Sequence, residues 1–159
     1  MTRTRVVSRS EDDTRAAGRE LAPRLSPGDV VLLSGDLGSG KTVFVRGLAE
    51  GLGADPDEVA SPTFALVHEY GPDGAPPRLV HADLYRLAGG ETASAPDLGL
   101  EEASAAGVVV AIEWPRAPFA DLPAWRVRLT EREAGLREIQ VDSPPPRRGP
   151  GNPGAGSPE

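Results

Sequence analysis

Cysteine is absent from the 159 residues. Its absence removes disulfide scaffolds, thiol nucleophiles and any cysteine-ligated zinc or iron–sulfur centre. Only two histidines occur, His68 and His81, too few for a histidine-rich metal centre of their own. No apolar run approaches the roughly 18 residues that a membrane span needs. The first ten residues, MTRTRVVSRS, carry charge but no apolar stretch, so no secretory signal is expected. Positive charge is also short. A formal net charge of −7 disfavours a chain that grips DNA or RNA across a broad face of its own. These shortages leave a small cytoplasmic protein as the expectation, with neither membrane nor DNA as a partner.

Lysine is scarcer still. Of 17 basic residues 16 are arginine, and the single lysine is Lys41. A composition that replaces lysine with arginine elsewhere has kept it at one position, where the two side chains are different chemical objects.

The chain divides at its end. From Ser143 to Glu159, 10 of 17 residues are proline or glycine. Such a segment cannot bury enough apolar surface to offset its ordering entropy, so a disordered tail, residues 143–159, is expected after a domain of residues 1–142. Within the domain, Thr4–Ser8 suits an edge strand. Ser10 suits a helix cap, with Asp13 three residues on and the helix ending near Pro23. Val30–Leu33 and Val108–Ile112 are continuous apolar runs with β-branched members, the pattern of strands buried on both faces. Helices are expected over Lys41–Leu52 and Leu98–Ala105. Phe64–Tyr70 and Arg78–Tyr85 flank a Gly/Pro-rich connection, and Trp125–Thr130 and Leu136–Val141 flank Glu131–Gly135, so each pair reads as a hairpin. This order predicts an α/β, three-layer sandwich of the P-loop NTPase type, with a mainly parallel sheet and antiparallel hairpin additions.

One motif carries chemistry. Gly35, Gly40, Lys41 and Thr42 fit the phosphate-binding P-loop spacing, between a buried strand and an amphipathic helix. Glycines let successive N–H groups turn toward phosphate oxygens, and the helix start adds its dipole and the amides of Thr42 and Val43. Lys41 is placed to reach the β- and γ-phosphates, and the Thr42 hydroxyl to bind Mg²⁺. Such a site needs a second carboxylate at a neighbouring strand end. Glu113 and Asp83 are both candidates, against the plainer reading of each as a solvated strand end. Trp114 is either a lid on the nucleotide or a core residue, and His81 reads most simply as a structural histidine. Guanine recognition by an Asn-Lys-x-Asp run is excluded, since the only asparagine is Asn152, so ATP is expected.

Four blocks then fall into one order: Gly35–Thr42, Ser61-Pro62-Thr63-Phe64, His81–Leu87 and Glu113-Trp114. Together they resemble the bacterial TsaE family, over roughly Ser10 to Val141. The resemblance implies an ATPase of the tRNA threonylcarbamoyladenosine machinery that binds ATP or ADP with Mg²⁺. It would turn over slowly alone and faster with TsaB-like and TsaD-like partners, which modify adenosine 37 and through which it would reach tRNA. It also implies that Thr42 and Glu113 hold Mg²⁺ and that Gly38, Ser39, Gly40, Lys41, Thr42 and Val43 cradle phosphate. Thr63 would sit in a switch-like loop, Asp83 would be a carboxylate needed for activity, and Glu11 and Arg137 would add nucleotide contacts. Two other readings of the P-loop stay open: a small-molecule kinase, and a non-catalytic scaffold ordered by nucleotide.

Overall fold

The computed structural model describes residues 2–36, 38–55, 67–71, 78–84, 99–114 and 123–145. Its elements run β1 (Arg3–Ser8), α1 (Glu11–Leu21), β2 (Val30–Ser34), α2 (Lys41–Gly51), β3 (Val67–Tyr70), β4 (Leu79–Asp83), α3 (Leu100–Ala105), β5 (Val109–Glu113), β6 (Trp125–Glu131) and β7 (Arg137–Asp142). The Ser10 hydroxyl accepts from the Asp13 amide, and the Asp13 carboxylate accepts from the Arg9 amide, a reciprocal cap that fixes the start of α1. Glu11, Asp12 and Asp13 then face the positive end of the helix dipole. Pro23 ends the helix by forcing a single 3-10 turn, Ala22–Arg24.

The strands form one seven-stranded sheet in the order β1-β7-β6-β2-β5-β4-β3. Its four central strands, β6, β2, β5 and β4, are mutually parallel. Antiparallel strands close both sides, β3 on β4 at one edge and β7 with β1 at the other. The mixed sheet expected from the sequence is thus present. One pairing was not expected. Besides its hairpin with β7, β6 lies parallel to β2, which puts the apolar β2 at the centre of the sheet.

Alternation sorts the side chains into two cores. Val31, Leu33, Ala111, Val127 and Leu129 face α1 and α2, where Phe44 and Leu48 are fully buried against them. Leu32, Val80, Ala82, Val110 and Ile112 face the other way, toward Leu100 of α3. Three layers result. The β6–β7 turn passes through Ala134 at φ +58°, a left-handed residue held by the Arg132 amide donating to the Leu136 carbonyl.

Apart from the start of β3, which adjoins residues outside the described ones, strand ends shift by a residue or two from expectation, and one shift carries meaning. β5 includes Glu113, so this carboxylate belongs to the buried strand rather than to the loop beyond it. Contacts of the domain also continue past Asp142, because the Ser143 amide donates to the Thr2 carbonyl. Residues 61–64, 85–98 and 146–159 lie outside the described residues, and so therefore do Thr63, the block around it and most of the expected tail.

Candidate functional site

β2 turns at Gly35 into the loop that leads to α2. Gly35 takes φ +150°, and a side chain there would strike Ser39 Oγ and the Leu129 carbonyl at 2.6 and 2.7 Å. Gly40, at φ +107°, precedes the first residue of α2, and no side chain caps that helix. The amides of Lys41, Thr42 and Val43 therefore have no partner within the helix. Sequence dictates this geometry directly: a backbone at φ +107° favours glycine, which brings no side chain to cap the helix.

Lys41 is the first residue of α2 and only 4% exposed. Its Nζ turns back into the loop and donates to the carbonyls of Gly35 and Asp36, at 2.5 and 3.0 Å. The ring of Trp114 covers the same ammonium, 4.4 Å from centroid to Nζ. Trp114 holds that position from a left-handed backbone, φ +58°, with its amide donating to the Leu33 carbonyl. Of its two expected fates, it therefore takes the place beside the site. Burial holds the Lys41 pKa below the ordinary lysine value, and the charges of Glu113, Asp83 and Asp36 pull part of the way back.

Register brings the carboxylates to the same height. Leu33 of β2 pairs with Glu113 of β5, and Glu113 pairs with Asp83 of β4. All three stand where the parallel strands end, the edge at which open α/β sheets bind ligands. Glu113 is 3% exposed, so it is no solvated strand end. Its Oε2 accepts from Thr42 Oγ1 at 3.4 Å and lies within hydrogen-bond distance of His81 Nε2, at 2.6 Å.

A cavity of about 270 Å³ opens over these groups. It is lined by Gly38, Gly40, Lys41, Thr42 and Val43 of the loop and helix start, and by Asp83, Glu113 and Trp114. Glu11 from the start of α1 and Arg137 from the start of β7 complete its wall. Arg137 donates from one terminal nitrogen to the Gly38 carbonyl at 3.1 Å, while its Nε is enclosed without a partner. Ser39 Oγ, also expected at the phosphate cradle, is likewise enclosed without one. An orphaned guanidinium nitrogen, the positive end of a helix dipole and a buried ammonium suit an anion. Thr42 Oγ1 and the Glu113 carboxylate are hard oxygen donors that suit Mg²⁺. Among the described residues no group of three or more His, Asp and Glu side chains forms a protein-only metal cage. A site sharing its cation with phosphate needs none.

Of the described residues that the sequence marked for the site, all but the buried Ser39 thus line one cavity. What sequence reading missed is the task of His81. Its alternation with Asp83 places it on the α2 face of β4, but only the β4–β5 pairing reveals that its ring lies on Glu113.

Known proteins share this sequence pattern and this fold. The family described as "Threonylcarbamoyl adenosine biosynthesis protein TsaE" matches residues 8–139. The tRNA threonylcarbamoyladenosine biosynthesis protein TsaE of Streptomyces coelicolor is 44% identical over 115 residues, covering 72% of this chain and 76% of its own. Its namesake from Treponema pallidum is 41% identical over 139 residues, covering 86% and 98%. The crystal structure of Bacillus subtilis YdiB superposes with a TM-score of 0.68 at 30% identity, over 91% of this chain and 87% of that one. Matched by the family over most of its length, and this similar to its members in sequence and in fold, the chain belongs to the TsaE family.

Proposed function

We propose that this chain binds ATP with Mg²⁺ and hydrolyses it as a subunit of the machinery that forms N6-threonylcarbamoyladenosine at position 37 of tRNA. Its turnover would support repeated cycles of a cytoplasmic partner complex made of TsaB-like and TsaD-like proteins. An acidic body would reach tRNA only through those partners. The names of the relatives support the pathway. The observation that supports nucleotide chemistry is the meeting of Thr42 and Glu113 at 3.4 Å beside a buried Lys41.

Each side chain has a role in this reading. Lys41 exchanges its loop carbonyls for β- and γ-phosphate oxygens. The amides of Thr42 and Val43 take the remaining phosphate charge at the helix start. Thr42 Oγ1 and Glu113 would hold Mg²⁺, which neutralises charge developing on the phosphates. Asp83, beside Glu113 at the cavity wall, orients the attacking water. Glu11 and Arg137 flank the nucleoside end, and Thr63 is assigned to sensing the γ-phosphate. Among the described residues Arg137 is the one arginine at the cavity, and it is engaged with Gly38. A further cation on the γ-phosphate, worth about 10³–10⁵ in rate where such a group exists, would come from outside the described residues or from a partner.

Phosphate release tests this. Slow hydrolysis by the chain alone and a rise on adding the two partner proteins are expected. Absence of ATP binding by calorimetry, or transfer of phosphate to a small acceptor in place of water, would overturn the reading.

A further inference from the structure

His81 lies in the third position of β4, fully enclosed, and does not line the cavity. Packing alone would be met at such a position by leucine or phenylalanine. An imidazole there brings two polar nitrogens, and the enclosure satisfies only one of them. Nδ1 has no hydrogen-bond partner, whereas Nε2 lies 2.6 Å from Glu113 Oε2. A proton on Nδ1 would be buried without an acceptor, so the arrangement places the proton on Nε2, where it is donated to the carboxylate. The orphaned Nδ1 is a cost that a packing role leaves without return.

Its setting makes the donor rigid. His81 pairs with Ala111 and Asp83 pairs with Glu113, so His81 stands one diagonal step behind Glu113 on the same face of two core strands. The oxygen it holds, Oε2, is also the one that faces Thr42 Oγ1. We propose that His81 is a positioning residue for the cation site. Its Nε2–H selects the Glu113 rotamer that turns Oε2 toward Thr42, so the carboxylate is oriented before a divalent cation arrives. Removing a donor of this kind weakens metal affinity by about 10–100-fold in other sites. The proposal rests on the reading of Glu113 as the cation-binding carboxylate.

The test uses two amides of differing reach. In His81→Gln the side-chain amide nitrogen extends as far as Nε2, and in His81→Asn only as far as Nδ1. The probe is Mn²⁺ in place of Mg²⁺, and its affinity for the ADP-loaded protein is read by water-proton relaxation. ADP affinity without metal is measured on the same preparations, with Glu113→Gln alongside. Unchanged metal-free ADP affinity throughout is expected, with Mn²⁺ affinity lowered about 10–100-fold in His81→Asn and Glu113→Gln but within about threefold of wild type in His81→Gln. Wild-type Mn²⁺ affinity in both histidine variants, with a loss in Glu113→Gln, overturns the proposal and leaves the cation reading standing. Wild-type affinity in Glu113→Gln as well overturns both. Equal weakening by the two amides, or loss of metal-free ADP binding in either, marks a packing role and also overturns it.

Discussion

At the residue scale the site turns on one ammonium. Lys41 Nζ is seated between two carbonyls and an indole face, a space shaped for a compact charge with three donors. Lys41→Ala is expected to weaken ATP binding by about 100-fold or more, the usual loss when a charged hydrogen-bonding group is removed. Lys41→Arg should fail nearly as badly, because a planar fork cannot occupy that seat. Nucleotide titration calorimetry checks both. Glu113→Gln keeps the shape of the carboxylate and should lower partner-stimulated hydrolysis by about 100-fold or more while the fold persists. Asp83→Asn should lower hydrolysis yet keep Mg²⁺-dependent nucleotide binding, which separates the two carboxylates by their tasks. Most of this site was legible in the sequence, because glycine spacing and a lone lysine are local signals. The His81–Glu113 bond was not. It depends on which strands pair, and nothing near His81 in the chain records that β5 lies beside β4.

Helices and strands announced themselves through caps and apolar runs, but their mutual approach did not. α1 and α2 cross at Gly18 and Gly47. A side chain at Gly18 would stand 2.2 Å from the Phe44 carbonyl oxygen, and one at Gly47 would stand 1.9 Å from the Arg15 carbonyl oxygen. Read from sequence, a glycine inside a helix is only a weakness of about 1 kcal/mol relative to alanine. Here it is the condition for contact between backbones. Gly47→Ala therefore sets that gain against an overpacking cost of about 3 kcal/mol, and the cost wins. Net destabilisation is expected in urea unfolding, and the nucleotide site should loosen with it, because α2 carries Lys41 and Thr42. The parallel pairing of β6 with β2 was hidden for a similar reason. β6 alternates cleanly, and an alternating strand beside a hairpin turn shows its antiparallel neighbour but not its other one.

Over the whole molecule, the antiparallel margin is tied by arginine–carboxylate pairs. Arg3 donates to Asp142 at 2.8 Å and holds the Asp142 pKa below its ordinary 3.8. A carboxylate depressed on folding stabilises above its unfolded pKa, and that stability is lost as pH falls through the folded value. Arg3→Ala should thus be less stable than wild type near neutrality. The difference should close at pH values well under 3.8, as urea unfolding across a pH series would show. Beside this pair, the Thr2 amide donates to Ser143 Oγ at 2.7 Å. Truncation after Pro145 should leave the melting temperature unchanged. Truncation after Asp142 removes the Ser143 contacts and should lower it by about 2–4 °C, the shift for roughly 1 kcal/mol in a chain of this size. The composition shift begins at residue 143, and the Thr2–Ser143 bonds show that Ser143 itself makes contacts with β1's end of the domain. The same margin has a consequence in time. β1 is synthesised before the other described strands, and its sheet neighbour among them, β7, after all of them. At about 5–20 residues per second the first strand waits on the order of ten seconds with no strand beside it. Arg3 and Arg5 keep that waiting edge charged, which makes it a poor template for pairing with another nascent chain. Ribosome-bound chains that stop short of residue 137 should accordingly lack the β1–β7 seam.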